Sequence, residues 1–340
     1  MPPQGAIGAW EGEGWSERRE RESGVSVTPR RSRLALVVAV AAAFALPATA
    51  AADTILVNTT ADSGAGSLRA AISGAGDGDT IEITATGTIG LESDLPAIDD
   101  DVTISGPGAD LLKVTRASAV EFRIFAIPGS QVTISGLTIT NGRVTVTGEP
   151  NPSAAGAGIL GSGADLTLRD VVVSGNHVVA TGGNESALAQ GGGIAVLGDL
   201  TVVDSTVTGN SALATQSGLG GASARGGGIA FSDQPNSTLR IEDSTIADNS
   251  AIADGTFISF AVGGLDSEGE GLLEGATIAD NRATAGGTGQ PYPAAIFADG
   301  QLGLRNTIVA DTTGGSNCLT NAGAEQELDS RGHNLSDDAS

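Results

Sequence analysis

Cysteine occurs once in these 340 residues, at Cys318, so no disulfide framework can hold the chain together. Methionine also occurs once, histidine twice (His177 and His333), and Lys113 is the only lysine. Aromatic side chains make up 3% of the sequence, which leaves few platforms for stacking on sugar rings. Positive charge is scarce: 17 basic residues face 40 acidic ones, a net charge of −23. That balance repels nucleic acid and anionic membrane surfaces and excludes both as partners. One apolar run, Leu34–Leu46, is too short to cross a bilayer comfortably, and no other stretch is apolar enough to span one.

The short run has a different meaning. Arg30, Arg31 and Arg33 precede it, and Pro47 with the small residues 48–52 follows, the three-part pattern of a secretory signal peptide. Residues 1–52 are read as a leader, and the mature chain as secreted, extracellular or displayed at the cell surface. The 24 residues ahead of Val25 are polar and charged, which makes Val25 or Val27 an alternative start. Both tryptophans, Trp10 and Trp15, leave with the leader, and Tyr292 is the one tyrosine of the remainder. With six Arg and five Glu the leader is nearly neutral, so the acidic excess belongs to the mature chain.

What the sequence holds in quantity is glycine, 51 residues, and a repeated phrase. Residues 191–212 read GGGIAVLGDLTVVDSTVTGNSA and residues 226–251 read GGGIAFSDQPNSTLRIEDSTIADNSA. Leu200, Val202, Asp204, Ser205, Val207 and Asn210 recur as Leu166, Leu168, Asp170, Val171, Val173 and Asn176, and again as Leu239, Ile241, Asp243, Ser244, Ile246 and Asn249. A fourth copy keeps Leu273, Ile278 and Asn281; a fifth keeps Leu302, Leu304 and Val309 but has Thr312 in place of Asn. The aliphatic residue that opens each copy (Ile159, Ile194, Ile229, Leu265, Ile296) is spaced by 35, 35, 36 and 31 residues. Such a period marks a repeat architecture. The apolar period inside a copy is two, so the unit is built of strands, three short ones separated by bends. Units of this kind bury their inward side chains by stacking on their neighbours. The expected fold is all-β, a parallel β-helix.

The recurring residues then acquire physical tasks. The glycine pair permits positive φ or close backbone approach. The Asn occupies a left-handed bend, and stacked Asn side chains bond one another as a ladder. Segments such as 213–225, LATQSGLGGASAR, are expected as loops from one corner of each coil, so that deleting Leu213–Gly220 does little harm while Ile194→Asp unfolds neighbouring coils. Residues 53–150 form the N-terminal cap and first coils, and 151–340 the clear repeats. SLRAAI, Ser67–Ile72, is the one plausible helix of the mature chain, with Leu68, Ala71 and Ile72 on one face to cap the first coil.

Residues 56–83, LVNTTADSGAGSLRAAISGAGDGDTIEI, resemble the opening motif of secreted right-handed β-helix proteins with a CSLREA-type domain, with Gly66 and Ala70 at that family's Cys and Glu. The repeats resemble those of polymorphic outer membrane proteins, and residues 306–335 are similar to the end of choice-of-anchor β-helix proteins. The resemblance implies a right-handed course for the parallel β-helix, with export and surface display and no characterised activity. It also implies a second Cys downstream of one placed like Cys318, so that the chain is read as truncated at Ser340.

No catalytic set emerges from the residue pattern. Lyase chemistry needs a basic residue beside an acidic Ca²⁺ cluster, and Lys113 stands alone. Hydrolase chemistry needs paired carboxylates facing a groove. His177 is read as a loop residue and His333 as structural. The stacked carboxylates of Asp170, Asp204 and Asp243, and of Asp248 and Asp280, are the candidate metal ligands, with Ca²⁺ the candidate cofactor; turn capping is their other reading. The function expected is a non-catalytic interaction or adhesion module for a carbohydrate or another protein. The rival is a polysaccharide lyase or hydrolase working in an acidic groove.

Overall fold

The structure, a computed structural model, describes residues 52–340 apart from 149, 233, 235–236, 288–292, 321–327 and 339–340. The leader, except Ala52, and Tyr292 lie outside the described residues. Among the described residues a 22-stranded sheet runs from the first strand to the last, sheets of five and four strands accompany its middle coils, and the strand pairings between successive coils are parallel. The chain is a parallel β-helix with one short helix near its N-terminal end.

One coil shows how the sequence builds it. From the glycine triplet the chain enters Ile229–Ser232, turns into Thr238–Glu242 and bends into Thr245–Ala247. Ile229, Leu239, Ile241 and Ile246 alternate inward at 0–1% exposure. Each lies in register with its counterpart one coil on, Ile229 on Leu265, Ile241 on Leu273 and Ile246 on Ile278. These stacked rows form the main core of branched aliphatics, whose burial stabilises by about 25 cal/mol per Å².

The segments expected as loops are strands instead. After Asn210 the chain runs out through Ser211–Gln216 and returns through Ala222–Arg225, and the same excursion recurs in neighbouring coils to give the five- and four-stranded sheets. Alternation is again the cause: Ala212, Ala214, Ala222 and Ala224 are buried at 0–2%. They belong to a second core lined almost wholly by alanine. Methyl groups alone fill a gap narrower than the about 10 Å of ordinary sheet-on-sheet packing. We refer to this thin two-sheet extension as the finger. The coil from Ile229 therefore has five strands, not three, and in the coil before Asn210 His177 opens the strand His177–Gly182 and is no loop residue.

Between the two cores lies a neck, where the chain leaves the main coil and re-enters it. The recurring Asn marks the exit and the glycines mark the return. Asn176, Asn210, Asn249 and Asn281 are all buried at 0–1%. Each Nδ2 donates to the Oδ1 of the next Asn, at 3.0, 3.0 and 3.1 Å. That Oδ1 also accepts the backbone N–H of the Asn before it. Asn210 Nδ2 reaches back to the Val173 carbonyl, and Asn249 Nδ2 to that of Val207. A ladder was expected here; a left-handed bend at Asn was not borne out. That conformation falls one residue earlier, on Gly175, Gly209, Asp248 and Asp280, at φ between 53° and 64°. The glycines close the other side of the neck. A Cβ on Gly228 would stand 2.9 Å from Asn249 Nδ2, and one on Gly193 3.0 Å from Asn210 Cγ. Glycine and Asn recur together because they touch.

The first coil is capped by the one helix. The helix Leu68–Gly74 starts from Ser67, whose Oγ accepts the Ala70 N–H at 3.2 Å. Its buried face of Leu68, Ala71 and Ile72 packs into the main core beside the first strand, Thr54–Val57. At the other end Thr312 donates to Asn317 Oδ1 at 2.5 Å. Asn317 Nδ2 in turn reaches the Val309 carbonyl and Asp337 Oδ1, so a second Asn takes the next rung.

The alanine core sets a prediction opposite to the one a loop would carry. Excising Leu213–Gly220 removes most of the strand Ser211–Gln216 and uncovers ladder groups on both neighbours, each orphaned buried group costing about 1–3 kcal/mol. Its urea midpoint should fall clearly, as for Ile194→Asp, and Ala214→Leu should lose about 1–3 kcal/mol by overpacking. A deletion variant that melts with the parent would return these residues to loops.

Candidate functional site

The turn at Gly226, with φ of 59°, sets the return strand Ala222–Arg225 beside the body strand Ile229–Ser232. On the outer side of the finger Leu188, Ser223 and Phe260 stand in register, one per coil. With Ser186, Ile258 and Arg225 they line a groove of about 410 Å³.

Behind Arg225 the body strands carry a row that reads Ala195, Ala230, Asp266, Phe297 in successive coils. Asp266 is 2% exposed. Its Oδ2 lies 3.7 Å from Arg225 Nε, a charge contact too long for a hydrogen bond, and its Oδ1 has no hydrogen-bond partner. Arg225 also pairs with Glu268 and lies over the Phe260 ring at 5.0 Å. Phe260 meets Phe297 edge to face, centroids 5.1 Å apart. Finger and body are thus tied here by the two ion pairs of Arg225 and by one aromatic contact. Burial pushes the Asp266 carboxyl up to about 6; Asp299 adds to the rise and Arg225 opposes it. A buried carboxyl poised near neutrality behind a groove-lining Arg marks a candidate functional position.

This position was missed in the sequence, although its signal is there. Where two copies read GGIA, ending in Ala195 and Ala230, the next reads GGLD, ending in Asp266. An acid in an otherwise apolar row is the clue.

The residues singled out from sequence fall elsewhere. Asp170, Asp204 and Asp243 are exposed and hold left-handed bends at φ of 51°, 50° and 45°. Asp248 and Asp280 hold the second bend, at 57° and 53°. Gly136, Gly275 and Asn306 take the same conformation in other coils of the first row, so tolerance of positive φ decides the residue type there. Among the described residues no group of three or more His, Cys, Asp or Glu side chains is placed to hold a metal ion. His333, at φ of 60°, is another bend residue, and Asn334 beside it accepts the Thr307 N–H. His177 Nδ1 contacts Ser211 Oγ at 2.7 Å, and burial, then Arg143 and Arg116, depress its pKa. Cys318 stacks on Ile296 at the edge of the main core, where burial, with Asp338 adding, pushes its thiol up to about 12. Lys113 stands on the outer side of Leu112–Arg116, away from these groups.

No family model and no curated protein matches the chain. Two solved structures are similar over most of its length. One, titled Geobacillus virus E2 ORF18, shares 12% identity at a TM-score of 0.37, over 78% of this chain and 49% of that one. The other, pectate lyase Pel9A, shares 14% identity at a TM-score of 0.26, over 79% of each chain. The chain spans about half the length of the first.

The buried carboxyl has a stability consequence of definite sign. Its folded pKa of about 6 exceeds the usual 3.8, so the folded state holds the proton longer and stability falls as pH rises from about 4 to about 6. Two pKa units correspond to roughly 3 kcal/mol. Asp266→Asn should therefore raise the melting temperature at pH 7.5 and leave it nearly unchanged at pH 4. An equal shift at both pH values would remove the charge from the explanation.

Proposed function

We propose that this chain is an exported β-helix module that holds a partner at the cell surface or outside the cell, with the outer side of the finger as its contact. The observation that carries this reading is the row Leu188, Ser223, Phe260, with Arg225 beside it two residues beyond Ser223 on the middle strand. Successive coils repeat about every 4.8 Å, so an extended ligand along the axis meets one side chain per coil. Leu188 and Phe260 offer apolar surface, Ser223 and Arg225 hydrogen-bonding groups. That alternation suits a glycan strand, with its apolar ring faces and polar rims. The signal-like leader supports export, and the likeness to CSLREA-type and choice-of-anchor proteins supports display and a right-handed course.

One observation favours the rival reading of a polysaccharide lyase or hydrolase: Asp266 is poised near pH 6 beside Glu268. Its burial and its contact with Arg225 argue for a structural carboxyl that substrate does not reach.

Immobilised neutral and uronic oligosaccharides separate the two. Binding is expected, weakened about tenfold by Phe260→Ala, the equivalent of about 1.4 kcal/mol, with no new reducing ends or unsaturated products. Turnover abolished by Asp266→Asn would establish the enzyme instead. Retention of no glycan at all would leave a protein partner as the ligand class.

A further inference from the structure

The charge cluster behind the groove has a property that binding alone does not require. Asp266 replaces the alanine found at Ala195 and Ala230, and it lies between Ala230 and Phe297 with Oδ1 unpartnered. Alanine would fill this row without a desolvation penalty. The charged groups that face Asp266 are Arg225 from the finger, Glu268 from the end of its own strand, and Asp299 from the next coil. Of these, Arg225 belongs to the return strand that lines the groove.

We propose that the return strand is fastened to the body by a proton-dependent clasp centred on Asp266, closed when the carboxyl is protonated and loosened when it ionises. The clasp regulates the groove of the proposed function and rests on that reading for its purpose, though not for its physics. A neutral carboxyl fits the dry space between Ala230 and Phe297. An ionised one, 3.7 Å from a guanidinium already shared with Glu268, is under-solvated there. Lifting Arg225 and the Phe260 ring away admits water to Asp266, so ionisation favours the lifted arrangement. Because the closed state holds the proton with a pKa near 6 and the open state near 3.8, linkage favours opening about tenfold more at pH 7.5 than at pH 5.

Hydrogen exchange on the full-length, ligand-free protein reads this directly. After correction for the intrinsic pH dependence of exchange, the opening equilibrium of Ala222–Arg225 and Ser259–Ala261 should rise about tenfold from pH 5 to 7.5. Peptides carrying Asn210 and Asn249 should not change. Asp266→Asn should flatten the response, and Asp266→Ala, the residue of the two preceding coils, is a second pH-blind variant should the first not fold. A flat profile in the unaltered protein, or one that both variants retain, overturns the clasp. A pH-gated finger in a protein that retains no glycan would remove the glycan as the groove's ligand and leave the clasp standing.

Discussion

A solenoid coil that sends out a finger must pass its chain twice through a neck, and buried backbone groups in that neck need partners. This constraint organises the molecule. The exit is solved by Asn, whose Oδ1 takes the N–H and Nδ2 of the coil before while its Nδ2 serves a carbonyl behind it. The return is solved by glycine, because the Asn ladder occupies the space a Cβ would need. Two cores of different depth follow: branched aliphatics on one side of the neck and alanine on the other. Where the ladder runs out at Thr312, Asn317 and the carboxylates of Asp337 and Asp338 take over its bonds.

The finger creates the concave surface that a plain coil lacks. Its outer row faces away from the alanine core and stands beside the body, and only at the Leu265 coil does a carboxyl enter the junction. In the row Ala195, Ala230 the repeat gives way at the Leu265 coil, where Asp266 takes the place of Ala. Burial disfavours the charged form of that carboxyl, a cost at neutral pH that alanine would not carry.

The main core was legible because period-two aliphatics in a 35-residue repeat admit few other folds, and the helix over Ser67–Ile72 was legible from one apolar face. The finger was not, because alanine, glycine and serine carry little hydrophobic signal and LATQSGLGGASAR has the composition of a loop. Its alternation, Ala212, Ala214, then Ala222, Ala224, was visible but too weak to outweigh composition. The ladder was read correctly from Asn210 and its counterparts, whereas the bend was assigned to the wrong residue, since Gly209 and Asp248 share no residue type, only tolerance of positive φ. Asp266 escaped notice because stacked acids elsewhere drew the search for a site toward Asp170, Asp204 and Asp243.

The central claim is that glycine and Asn form one device. A double-mutant cycle on Gly228 and Asn249 tests it most directly, with unfolding free energies from urea melts. Gly228→Ala alone forces a methyl to 2.9 Å from Asn249 Nδ2, and Asn249→Ala alone strips the Asn210 N–H and the Val207 carbonyl of their partner. In the double variant the new methyl enters space the Asn side chain has left. The loss should then be smaller than the sum of the single losses by about 1 kcal/mol or more. Losses that add within about 0.5 kcal/mol would mean that the two residues recur for separate reasons.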